Sequence, residues 1–143
     1  MQNNISSGDQ YDIVVVGGGS GGISVTTSLL KRNPDLRIAI IEPASEHYYQ
    51  PGWTMVGGGV FKAPETRRQT GDLMPSKATW IKQSAVSFAP EQNEVELDDG
   101  KRVGYSQLIV APGLKLNWDA VEGLSETLGK NGVTSNYRYD LAP

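Results

Sequence analysis

From Tyr11 to Val16 the chain reads Y-D-I-V-V-V, an apolar run with the length of a parallel strand buried on both faces. Ile23, Thr26, Thr27 and Leu30 then recur at helical spacing, which predicts a helix from Ser20 to about Arg32 that Asn33-Pro34 ends. Leu36–Ile41 is a second apolar strand. Pro43 to Pro75 has no strong period. It is rich in glycine, proline and aromatics, includes Gly57-Gly58-Gly59, and admits a short helix only over Pro64–Leu73. Loops this long are uncommon in compact domains and tend to be functional. Strands are predicted again over Thr79–Phe88, Glu94–Leu97, Arg102–Tyr105 and Ser106–Val110. Asp98-Asp99-Gly100 supplies a hairpin turn and Ala111-Pro112-Gly113 the stop. Beyond Gly113 the sequence is polar and glycine-spaced to Pro143. Met1–Gln10 reads as a disordered polar leader.

The join between the first strand and the first helix carries chemistry. Val16 runs into Gly17-x-Gly19-x-x-Gly22, and a carboxylate, Glu42, closes the second strand. Strand, glycine turn, helix, strand and acid in this order form a dinucleotide-binding βαβ unit. Gly17 allows the tight turn, Gly19 lets backbone approach a pyrophosphate, and Gly22 lets the helix sit close to the sheet. The free N–H groups at the helix start, with the positive end of its dipole, suit phosphates. Glu42 suits ribose hydroxyls.

Composition narrows the rest. The 143 residues amount to one domain of ordinary globular make-up, and a net charge of -3 offers no basic patch for nucleic acid. No run approaches the roughly 18 apolar residues of a membrane span. The leader has the pattern of neither a signal nor a transit peptide, so the chain by itself reads as cytoplasmic. Cysteine is absent, which removes disulfide, thiolate-metal and thiol redox chemistry from this stretch.

Other candidate residues have plainer explanations. His47, the single histidine, suits a structural hydrogen bond better than acid–base work. Tyr48, Tyr49 and Trp53 read equally as pocket lining or as packing. Lys62, Arg67 and Arg68 fit a solvated face better than an anion-steering site. Asp98 and Asp99 are explained by turn chemistry. Ser20 lies in the phosphate loop with no base to activate it, so it is no nucleophile. No catalytic residue and no metal ligand is expected here.

A long loop and a β-meander replace the further βα units of a plain nicotinamide-binding domain. That layout resembles flavoproteins with two dinucleotide-binding domains, the first of which holds FAD. Their second signature, an apolar strand into Ala-Thr-Gly, resembles Leu108-Ile-Val-Ala-Pro-Gly113, with Pro112 in the threonine's place. The substitution removes a backbone donor and a hydroxyl.

The run E-P-A-S-E-H-Y-Y-Q-P-G-W-T-M-V-G-G-G from Glu42 to Gly59 is similar to the sulfide:quinone oxidoreductases, chiefly their mitochondrial-type branch. These belong to the FAD-dependent pyridine nucleotide-disulfide oxidoreductases. Met74-Pro-Ser, Trp80-Ile-Lys82 and Thr134-Ser-Asn-Tyr137 continue the likeness, which runs from Tyr11 onward. It implies FAD contacts at Ser20 and Gly21, at Glu42, at Gln50, and through the backbone at Ala85. The expected cofactor-binding set is thus Gly17, Gly19, Ser20, Gly21, Gly22, Glu42, Pro43, Gln50, Ala85, Ala111 and Gly113.

The resemblance further implies oxidation of sulfide and reduction of quinone, using two cysteines that this chain lacks. It also implies a full-length protein peripheral on a membrane surface through C-terminal parts. No second Gly-rich βαβ, returning strand or amphipathic anchor follows Gly113. The expectation is therefore an incomplete two-domain flavoprotein: an inactive N-terminal fragment holding FAD weakly, with 11–113 the first part of its FAD-binding domain and 114–143 the start of a connection. Two alternatives stay open, the N-terminal part of a type II NADH:quinone dehydrogenase and a stand-alone, non-catalytic nucleotide-binding module. Disulfide reductases are disfavoured, because their cysteine pair would fall where Tyr48–Gly59 stands.

Overall fold

The computed structural model describes residues 9–143. Residues 1–8 of the expected leader lie outside them. Asp9 and Gln10 already belong to the first strand, β1 (Asp9–Val16), where they pair with Val103 and Gly104.

The chain divides into two compact units. The first runs through Ser45 and resumes at Thr70–Gly113. The second joins Glu46–Gln69 to Leu114–Pro143. The middle loop thus groups with the C-terminal stretch, a partnership that no local pattern marks.

In the first unit β1 leads into α1 (Ser20–Arg32) and β2 (Ile38–Ile41). After the excursion come α3 (Thr70–Leu73), β5 (Thr79–Ile81), β6 (Ala85–Ala89), β7 (Glu94–Leu97) and β8 (Arg102–Val110). One six-stranded sheet has the order β5-β2-β1-β8-β7-β6. The first four strands are parallel, and β8, β7 and β6 are antiparallel. This is the expected α/β, Rossmann-like βαβ unit with a meander.

The helix is found at its predicted bounds, but its buried face is turned. Gly22 and Thr26 are buried, while Val25, Leu29 and Leu30 pack on Ile13, Val15, Ile38 and Ile40. Thr27, expected on that face, instead turns its hydroxyl to the Ile23 carbonyl at 2.8 Å. Lys31 and Arg32 complement the dipole in the last turn. Strand β2 starts at Ile38 rather than Leu36, because Arg37 meets β1 through the Asp12 side chain and backbone and not through a regular ladder pair. Its N–H donates to the Asp12 carboxylate (2.8 Å) and its carbonyl accepts from the Asp12 N–H (3.0 Å).

Two strand assignments change. Thr79–Phe88 is two strands, and Arg102–Tyr105 with Ser106–Val110 is one. β5 and β6 lie at opposite edges of the sheet but are joined only by residues 82–84. Laid flat, six strands would hold those edges about 24 Å apart at roughly 4.8 Å per spacing. The link from Ile81 to Ala85 reaches at most about 14 Å. The sheet therefore curls. Its inside is one apolar cluster in which Ile81 of β5 joins Val14, Val16 and Ile41 with Val95, Leu97 and Val103 of the meander. Each such buried aliphatic side chain contributes roughly 1.5–3 kcal/mol. β8 runs unbroken because its start pairs with β7 while its whole length pairs with β1. Edge strand β6 leaves Val86 and Phe88 exposed.

In the second unit β3 (Glu46–Tyr48) pairs antiparallel with β4 (Arg67–Gln69), and α2 (Trp53–Gly57) lies between them in sequence. The helix expected over Pro64–Leu73 is instead a 3-10 turn at Ala63–Thr66, then β4, then α3. Three-residue strands bearing charges show no alternation to detect. The second unit also contains a 3-10 turn at Trp118–Ala120 and a one-turn helix, α4 (Leu124–Thr127).

Candidate functional site

The site forms where β1, β2 and β8 end together. Gly17 N–H donates to the Ile41 carbonyl (2.9 Å) and Ala111 N–H to the Val16 carbonyl (2.7 Å), so the turn is tied to both neighbouring strands. Gly17 has φ +102, and a Cβ there would lie 2.1 Å from the Ala111 carbonyl oxygen. A Cβ on Gly22 would lie 1.9 Å from the Gly17 carbonyl oxygen. Both glycines are steric requirements. Gly19 differs: it is the N-cap of α1, and a Cβ there would meet nothing within 4 Å. No side chain caps α1 and no acid occupies its first turn. The N–H groups of Ser20, Gly21 and Gly22 thus stand at an uncapped, dipole-positive helix start.

Glu42 closes the opposite side. One carboxylate oxygen accepts the Gly18 N–H at 2.8 Å and the other the Ala44 N–H at 2.7 Å. A carboxylate offers about four lone-pair sites, so acceptor capacity remains. The Glu42 N–H donates to the Ile81 carbonyl (3.0 Å), and the Glu42 carbonyl accepts the Trp80 indole N–H (2.8 Å).

A cleft of about 230 Å³ opens here. Gly17, Glu42, Pro43 and Ala85, all expected at the site, line it together with Val16, Ile41, Ser84 and Pro112. Ala111 adjoins through the Gly17 contact, and Gly113 follows with φ +77. Gln50 belongs to the second unit, where its amide donates to the Asn136 carbonyl at 3.4 Å. Gly18, Ser84 and Pro112 are additions to the expected set. A Cβ on Gly18 would lie 2.7 Å from Cβ and Cγ of Glu42, a constraint readable only once strand pairing sets the two side by side.

Asp98 does more than turn the hairpin. Its carboxylate accepts the Ser84 N–H at 3.1 Å, and its own N–H donates to the Ser84 carbonyl at 3.0 Å. Asp99 accepts the Lys101 N–H, which holds its carboxyl below the usual carboxylate range. The hairpin tip therefore braces the wall carrying Ser84 and Ala85. Asp98→Ala is expected to cost about 1 kcal/mol and to speed amide exchange at Ser84, read by hydrogen exchange and a thermal melt.

The residues weighed as alternatives are engaged within the second unit. Tyr48 packs against Trp53 and Tyr139 at ring-centroid distances of 5.9 and 4.9 Å, so packing accounts for Tyr48 and Trp53, while Tyr49 is exposed. Its hydroxyl donates to Glu46, which raises the phenol above its ordinary value. Arg67 pairs with Glu46, and Arg68 donates to the carbonyls of Glu65 and Arg67. His47 is paired with Arg68 in the β3–β4 ladder. Among the described residues no cluster suits a metal ion, and no helix is long and apolar enough to cross a membrane.

Fold and cleft together define a dinucleotide-binding α/β protein. The family described as pyridine nucleotide-disulphide oxidoreductase matches residues 11–142, and the chain belongs to it. The chain is 52% identical over 131 residues to the mitochondrial sulfide:quinone oxidoreductase of Dictyostelium discoideum, covering 90% of this chain and 28% of that protein. The sulfide:quinone oxidoreductase structure from Aquifex aeolicus superposes with a TM-score of 0.74 at 27% identity, over 94% of this chain and 30% of that one. NDH2 from Plasmodium falciparum, solved with NADH, gives a TM-score of 0.62 at 17% identity over 94% and 27%, which shows the shared fold alone. The chain thus spans under a third of the length of each.

Proposed function

We propose that this chain holds the FAD of a sulfide:quinone oxidoreductase. The supporting observation is a cleft lined by Gly17 and Glu42 at the end of β1 and β2, where the Glu42 carboxylate is held by two backbone N–H groups and the chain goes on from Gly17 into an uncapped helix start. The residues present fit such a group. Ser20, Gly21 and Gly22 offer N–H donors for the pyrophosphate, and the open space over Gly19 lets it approach. Glu42 takes the adenosine ribose. Pro43, Ala85 and Pro112 give low walls for the adenine, and Ala111 and Gly113 shape the far turn; for Gln50 the support is the family resemblance alone.

FAD, when bound, supplies the two-electron chemistry that links a reductant to quinone. The chain's own share is to bind and orient. It has no cysteine, so the disulfide chemistry that the resemblance implies is not carried by these 143 residues. FAD is expected to bind saturably, read by quenching of flavin fluorescence, and FMN, which lacks the adenosine half, is not. The chain alone is expected to show no sulfide-dependent quinone reduction. Absence of saturable FAD binding overturns the proposal.

NADH-dependent quinone reduction by a longer protein containing this chain would favour the second reading, with which the NDH2 likeness in fold is compatible. A cytoplasmic protein peripheral on a membrane surface remains our proposal for location, beside a relative whose name is mitochondrial. Cell fractionation decides it.

A further inference from the structure

Glu42 is the first residue beyond β2, past the last rung of the β1–β2 ladder at Val16–Ile41. The Glu42 carbonyl therefore lies at a sheet end and needs a donor from elsewhere. Trp80 provides it. The residue is paired with Ile40 in the β2–β5 ladder, and its indole N–H reaches the Glu42 carbonyl at 2.8 Å. The ring is held in turn. Lys82 Nζ stands 5.5 Å from its centroid, and a Cβ on Gly71 of α3 would lie 3.4 Å from its edge. Trp80 itself does not line the cleft, which it adjoins through Glu42.

We propose that Trp80 is a positioning residue for the adenosine end of the bound dinucleotide, acting through Glu42. This rests on the reading of the cleft as an FAD site and deepens it. Carbonyl and N–H of Glu42 are fixed by Trp80 and Ile81, which sets the direction in which the side chain leaves the backbone. From that direction the carboxylate meets the N–H groups of Gly18 and Ala44 at once. Removing the indole N–H frees the Glu42 carbonyl, lets the peptide to Pro43 rotate, and unsettles an acceptor that must be in place before the ligand arrives.

The test compares the protein with Trp80→Phe, which keeps an aromatic ring and removes the donor. A second variant carries benzothienylalanine at position 80, which keeps the full ring shape without the N–H. FAD and ADP are titrated into each, alone and combined with Glu42→Gln. The expectation is about tenfold weaker binding of both ligands, the size of one lost net hydrogen bond, and little further loss in the Glu42→Gln background. An equal loss in that background, or unchanged binding, overturns the proposal. Amide exchange at Gly18 and Ala44 in the ligand-free protein gives a readout independent of FAD. Faster exchange at both in the variants, with the melt unchanged, supports positioning, and unchanged exchange overturns it. If the parent protein takes up no FAD, the cofactor reading fails and the exchange measurement alone decides the role of Trp80.

Discussion

Gly17→Ala is expected to lower the melting temperature by about 10 °C and to abolish dinucleotide binding. Two costs combine. An alanine at φ +102 is strained by roughly 1–2 kcal/mol. Its Cβ would also stand 2.1 Å from the carbonyl oxygen of Ala111, a residue whose N–H is tied to the Val16 carbonyl. Overpacking of this kind typically costs about 1–3 kcal/mol. The total is a large share of a stability of roughly 5–15 kcal/mol, and at this chain length each kcal/mol moves the melt by about 3 °C. Gly19→Ala is the informative control, since a Cβ there meets nothing and the backbone, at φ -76, tolerates it. It should cost less than about 1 kcal/mol of stability yet weaken binding, because the methyl group occupies the space over which a pyrophosphate would approach. Thermal melts with flavin titration read both. A Gly17→Ala protein that melts with the parent would remove the steric account of the turn, and a Gly19→Ala protein with parental affinity would remove the pyrophosphate from that place.

The same contrast shows what a sequence can carry. The βαβ unit was legible because its signals are local: an apolar run, helical spacing, glycines at fixed offsets, and an acid after the second strand. Pro43 and Ala85 both line the cleft, but only the family resemblance, and no local pattern, singles out Ala85. No pattern around Ala85 says that residues 82–84 bridge opposite edges of a curled sheet and bring it beside Glu42. The β3–β4 pair stayed hidden for a different reason. Glu46–Tyr48 and Arg67–Gln69 are too short and too charged for alternation, and their pairing depends on contacts twenty residues apart. The hairpin carboxylates were read as turn chemistry, which is true of Asp99 and incomplete for Asp98, whose partner is 14 residues away. Local chemistry was visible, and chemistry created by long-range pairing was not.

Glu42→Ala is expected to weaken FAD binding about a hundredfold or more, the largest effect on affinity of any single side chain at the cleft. Hydrogen bonds to a charged group are worth roughly 1.5–3 kcal/mol each, and a ribose offers two hydroxyls to this carboxylate. Losing both corresponds to at least about 10² in the dissociation constant. The effect on folding should be smaller. Truncation leaves the Gly18 and Ala44 N–H groups without their acceptor, but Ala44 is exposed and water replaces its partner. The Gly18 N–H is buried, and leaving it unpaired costs about 1–3 kcal/mol unless water enters the space vacated by the side chain. Glu42→Gln separates charge from shape. Its amide oxygen can satisfy one of the two N–H groups, while its NH₂ faces the other donor to donor, so one bond is lost and the negative charge with it. The glutamine protein should bind FAD more tightly than the alanine protein and more weakly than the parent. If glutamine and alanine weaken binding equally, the carboxylate acts through its charge alone. If neither does, the ribose is held elsewhere and the two backbone bonds to Glu42 serve only to close the phosphate loop onto the end of β2.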